Sequence, residues 1–248
     1  QQALAIAREI GDRRGEGNRL GNLGNAYADL GQVEQSTQYI ELALVNARGI
    51  GDKYGECIDS INMADLLVAQ ARFGDAIEWY RRAIQLADEI GSAQGQCEAR
   101  LGQAIAHLLA GELPAAAAAA RAASAVDYPS ANHRVRAVLG VIALCQGDLA
   151  AARVAFDEAV AAAGSLLAHT PHLYAAQESK GLALCGLALL AEQPDLTAAV
   201  EAYRAARAAT VAPGIVGRAL RLFDALALAD EAGVLAPVRP VVAGETSL

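Results

Sequence analysis

The sequence predicts an all-α solenoid, a stack of helical hairpins each packed on the next, and three observations predict it. Of the 248 residues, 54% are hydrophobic but only 4% aromatic. Alanine is the largest part of that apolar share and the cheapest residue in a helix, whereas sheets draw on β-branched and aromatic side chains. The second observation is an offset of forty: Ile10-Gly11-Asp12 recurs as Ile50-Gly51-Asp52 and as Ile90-Gly91-Ser92, and self-similarity at such a period marks stacked repeats. The third is that small residues keep the same offset, with Gly15, Gly55 and Gly95, then Gly31, Ala71 and Gly111, then Ala43, Ala83 and Ala123. Two helices and two turns therefore recur in each unit.

The elements follow in order. Each Ile-Gly supplies a helix end and a residue free to turn left-handed, and the Asp or Ser after it caps the next helix through its side-chain oxygen. This punctuation predicts a half-hairpin at 2–10 and hairpins at 13–49, 53–90 and 93–126. Beyond residue 125 the period drifts. The turn Gly147-Asp148-Leu149 comes 36 residues after Gly111-Glu112-Leu113, and Pro194-Asp195-Leu196 another 47 later, which predicts hairpins at 130–163 and 171–210 with unequal loops. Pro213-Gly214 breaks the pattern before a terminal helix at 215–232, completing an array over 1–232. The remainder, 233–248, carries Pro237, Pro240 and Gly244 without helical period and is expected to be a flexible tail or a strap.

Leu20, Leu23-Gly24 and Tyr27, followed by Ser36, Ile40 and Ala43, resemble the tetratricopeptide repeat (TPR) signature. Leu139-Gly140, Ala152, Phe156 and Ala159 repeat it, as do Ala76, Tyr80 and Ala83, whereas His107 and Ala120 depart from it and Gly186-Leu187 stands in reversed order. The resemblance implies a right-handed TPR superhelix of about five hairpins plus a terminal helix. The forty-residue variety, with its Ile-Gly-Asp linkers and Asn-x-x-Asn in the first helix, resembles the C-terminal sensor repeats of bacterial signal-transduction NTPases of the STAND class and the repeats of kinesin light chains. That resemblance implies a non-catalytic module that senses a ligand or holds a protein or peptide, or another domain of its own parent chain. A stand-alone adaptor and a small-ligand sensor are the alternatives it leaves open.

Composition narrows the function. Lys+Arg 20 against Asp+Glu 28 leaves a net charge of −8 with no basic stripe, so a nucleic-acid partner is not expected. No apolar run approaches the roughly 20 residues of a bilayer span, so no membrane partner is expected either. The four cysteines are too widely spaced for a zinc knuckle or a redox pair, and reduced cytoplasmic thiols are the expectation. His169 and His172 lack a third ligand, so no metal is expected. No phosphate loop or nucleophile setting occurs, hence no cofactor and no enzyme. The chain starts at Gln1 and reads as part of something longer, so an NTPase portion would precede it.

Two surfaces remain as candidates. In a hairpin solenoid the first helix of each pair lines the concave side, and Asn18, Asn22, Asn25 and Asp29 step by four, three and four onto one face. Forty residues on, Asn62 and Asp65 occupy the same face. Carboxamides offer two donors and an acceptor, which matches the backbone of an extended peptide. Further along the face turns apolar, reading Glu98, Gly102, Ile105 and Leu109 in the third hairpin and Arg134, Val138, Val141 and Cys145 in the fourth. Such a strip is either a groove covered by a partner, a ligand or a chain segment, or ordinary core produced by tighter closure.

Overall fold

A computed structural model describes residues 2–245. Among them there are helices and no strand, as the alanine-rich composition predicts. A first helix α1 (Gln2–Glu9) is followed by the pairs α2 (Arg13–Asp29) and α3 (Val33–Ile50), α4 (Lys53–Ala69) and α5 (Phe73–Ile90), and α6 (Ala93–Leu109) and α7 (Leu113–Ser124). After a short 3-10 turn come α8 (Asn132–Cys145) with α9 (Leu149–His169), and α10 (Tyr174–Leu189) with α11 (Thr197–Ala209). The chain ends in α12 (Pro213–Ala227) and α13 (Arg239–Ala243).

The joints are built as the repeat implies. Gly51 and Gly91 close α3 and α5 in the left-handed region, at φ 70° and 67°. The next residue caps the following helix: Asp12 accepts from Gly15 N at 2.8 Å, Asp52 from Gly55 N at 3.1 Å and Ser92 from Gly95 N at 3.1 Å. A second recurring device is ionic. Arg8 Nε donates to Glu16 at 2.8 Å and Arg48 Nε to Glu56 at 2.7 Å, each spanning one Ile-Gly-Asp joint. Burial works against the Glu56 carboxylate, but Arg48 and Arg82 outweigh it and hold its pKa below the usual value. These glutamates belong to the scaffold.

Within and between hairpins, one large residue fills the gap left by small ones. Phe156 on α9 is wholly buried, and a Cβ at Gly140 of α8 or Gly186 of α10 would collide with its ring. Gly24 does the same for Ile40, where a Cβ would stand 2.5 Å from Cγ1, and Gly181 for Tyr203 at 2.8 Å. This explains the reversed Gly186-Leu187: Gly186 faces back to the preceding hairpin, while Gly181 accommodates the aromatic of its own.

The first helices α2, α4, α6, α8 and α10 each touch the next and form a continuous inner wall. Then α12 leaves the stack. It crosses the concave side and touches α2, α6, α8 and α10, burying Ile215, Val216, Ala219, Phe223 and Leu226. The apolar strip is thus covered by the chain itself: Val138 and Val141 are 1% and 0% exposed, Ile105 and Leu109 are half-buried, and Cys145 Sγ donates to Ala225 O of α12 at 3.7 Å. Residues 233–245 also differ from the flexible tail that composition suggests. Leu235, Val238 and Val242 are buried in the same core and α13 packs on α11 and α12, so the segment is a strap; the last three residues of that tail lie outside the described residues.

Candidate functional site

Because α12 crosses the inner wall without filling it, the two enclose a chamber of about 500 Å3. Four of the sequence-derived amide and carboxylate positions meet there, Asn25 and Asp29 from the C-terminal half of α2 and Asn62 and Asp65 from α4. Asn18 and Asn22 are exposed on the outer half of α2 and are not among the lining residues. From the apolar strip, Ile105 and Val138 reach the chamber, whereas Leu109 and Val141 do not.

The charges are arranged in pairs. Arg134 donates through Nη1 to both oxygens of Glu98, at 2.9 and 2.8 Å, joining α8 to α6. Arg218 on α12 donates to Asp29 at 2.7 Å. Arg207 pairs with Glu178, and the Tyr80 hydroxyl donates to Asp65. Burial raises the pKa of Asp65, against the Tyr80 hydrogen bond and the charges of Arg218 and Arg134 that lower it. Glu178 is likewise raised by burial despite Arg207. Arg221, one turn beyond Arg218, lines the chamber with no ion pair or hydrogen bond among the described residues. Burial, then the charge of Arg218, pulls its pKa below the ordinary guanidinium value.

The tetratricopeptide repeat family model matches residues 18–44, which span most of α2 and the first two-thirds of α3. The chain carries a tetratricopeptide repeat. Comparison with curated proteins gives no match. The matched TPR unit contributes Asn25 and Asp29 to the chamber, and TPR repeats in general mediate protein–protein interaction. No helix among the described residues is long and apolar enough to cross a membrane.

The cysteines are not among the chamber's lining residues. Burial pushes the Cys57 and Cys97 thiols up to about 11 and Cys185 to about 12, so these sulfurs stay protonated at neutral pH and pack as small apolar groups. Sequence reasoning placed Glu98 and Arg134 on the concave face without pairing them, although their spacing of 36 residues is close to one repeat. Arg218 and Arg221 were out of its reach, since nothing local in α12 announces that it turns inward.

Proposed function

We propose that this chain is a non-catalytic TPR binding module that takes a protein or peptide partner on its concave face, and that it serves as the sensing and interaction part of a larger bacterial signalling protein in the cytoplasm. The observation that supports it best is the convergence of Asn25, Asp29, Asn62 and Asp65, from two adjacent first helices, on one chamber. The exposed Asn18 and Asn22 continue that polar row outward along α2. A backbone lying there would find donors and acceptors that make no demand on its side chains.

The test uses 12-residue peptides selected from a displayed random library on the whole protein. Changing Asn25 and Asn62 together to Ala removes two to four hydrogen bonds at roughly 0.5–1.5 kcal/mol each, so affinity falls about tenfold or more. Melting temperature, unchanged, is the control. Unaltered affinity in the double variant overturns the reading. The crossing of the groove by α12 favours a second reading, in which the enclosed volume takes a small ligand.

A further inference from the structure

One guanidinium of the chamber has no anion within ion-pair distance among the described residues. Arg134 is committed to Glu98 and Arg218 to Asp29, and Glu178 is answered by Arg207 from behind the wall. Asp65 accepts from Tyr80 instead of meeting a cation within ion-pair distance. Arg221 is left over. Its side chain lies back along α12 over Gly217, where a Cβ would stand 3.5 Å from Nη1, so the helix itself leaves the group room. A partly buried cation without a counter-ion is costly, and a protein that retains one gains from whatever anion answers it.

The chamber wall also carries aliphatic side chains. Ile58, Ile105, Val138, Leu182 and Leu222 line the same chamber, whose roughly 500 Å3 falls within the ordinary range for small-molecule sites. We propose that the chamber binds a small amphipathic monocarboxylate, its carboxylate on Arg221 and its apolar body against these side chains. A planar carboxylate matches the two-donor edge of a guanidinium. A phosphate, at roughly −1.5 to −2 charge, would bring a second negative charge among Asp29, Asp65, Glu98 and Glu178 and is disfavoured. The proposal rests on the concave face being the working surface and names what its closed part takes.

Decanoate, below its micellar concentration, is titrated into the whole chain by calorimetry, beside decan-1-ol and decyl phosphate. Decanoate is expected to bind at least tenfold more tightly than either comparator. Arg221→Gln should erase that advantage while leaving the weak affinity for decanol in place and the unliganded melting temperature no lower than that of the wild type, and Arg221→Lys should restore part of it. Equal affinity for acid and alcohol in the wild type overturns the proposal without recourse to any variant, as does tighter binding of the phosphate or an Arg221→Gln protein that binds decanoate undiminished. Failure of decanoate while selected peptides still depend on Asn25 and Asn62 removes the chamber ligand alone; failure of both removes the concave reading with it.

Discussion

Arg218 on α12 sets its Nη2 2.7 Å from Asp29 Oδ1 on α2, joining positions 189 apart in the sequence. Beside this pair, a Cβ at Gly31 would stand 3.3 Å from Pro213, and one at Gly214 would drive into the carbonyl oxygen of Ala28. The array thus closes on its own first hairpin. The ion pair is half exposed on both sides, so it contributes only about 0.2–1 kcal/mol. The backbone approach cannot be relaxed by turning a side chain. Asp29→Ala should therefore lower the melting temperature slightly, whereas Gly214→Ala should cost about 1–3 kcal/mol and speed hydrogen exchange in α12. Equal effects of the two would show that α12 is held by charge instead of by fit.

Phe156, wedged between Gly140 and Gly186, makes a coupled prediction. Phe156→Ala should cost about 3–5 kcal/mol in urea unfolding, as for other wholly buried aromatics. Gly186→Ala, which overpacks the same contact, should cost about 1–3 kcal/mol. The two should not add. With the ring removed the new methyl has space, so the double variant should be no worse than Phe156→Ala alone. Simple additivity would place Gly186 away from the ring.

The same wedge shows what was legible beforehand. Pairs sixteen residues apart, Gly24 with Ile40 and Gly140 with Phe156, sit in the repeat and give the hairpins, because each hairpin solves one local packing problem. The amide row was legible for the same reason, as a step of four, three and four on a single helix. Its division was not: only the C-terminal half of α2 reaches the chamber, which depends on where α12 crosses. The path of α12 lies beyond periodicity, since the apolar face that buries Ile215, Ala219 and Phe223 would serve equally well against the last hairpin. The strap stood only as the alternative to a flexible tail because Pro237 and Pro240 obscure the spacing of Leu235, Val238 and Val242.

Ala71 occupies the turn slot that Gly31 and Gly111 fill in neighbouring repeats, and it holds φ 57° where they hold 73° and 79°. A Cβ strains that region, whereas glycine enters it freely. The side chain is exposed, so its removal forfeits no packing. Ala71→Gly should stabilise the protein by about 0.5–1 kcal/mol, read as a higher urea midpoint at unchanged slope. A destabilised variant would mean that the turn relaxes out of the left-handed region.

Removal of the strap should be felt throughout the C-terminal half. Asp230 accepts from Val234 N at 2.9 Å and Leu235 N at 2.6 Å, and Arg239 forks onto Asp224 at 2.8 and 3.0 Å. Stopping the chain before Ala236 discards Val238 and Val242, both wholly buried, at roughly 1.5–3 kcal/mol for each side chain. The truncated protein should melt markedly lower and expose the α11–α12 surface to protease. A melting temperature within a degree of the full chain would contradict the burial.

Asp59 on α4 supplies a pH signature. The residue is 6% exposed, its carboxyl tucked so close to α2 that a Cβ at Gly21 would stand 2.8 Å from Oδ1. Burial, with the charge of Asp52 acting in the same sense, pushes its pKa up to about 7. An unfolded aspartate titrates near 3.9, so between these values the folded state holds a proton that the unfolded state releases. The stabilising contribution of this group is complete below about pH 4 and is lost as pH rises through 7, by up to about 4 kcal/mol. Asp59→Asn keeps the shape and removes the titration. The variant should match the wild type near pH 4 and exceed it increasingly up to pH 8. His133, whose pKa burial lowers to about 4, acts in the opposite direction: the stability it contributes is present above about 6.5 and lost as pH falls through 4. Because His133 is common to both proteins, it cancels in their difference. Urea midpoints of the pair across that range measure Asp59 alone, and a difference that stays flat with pH would show that its carboxyl ionises in the folded protein as freely as in the unfolded chain.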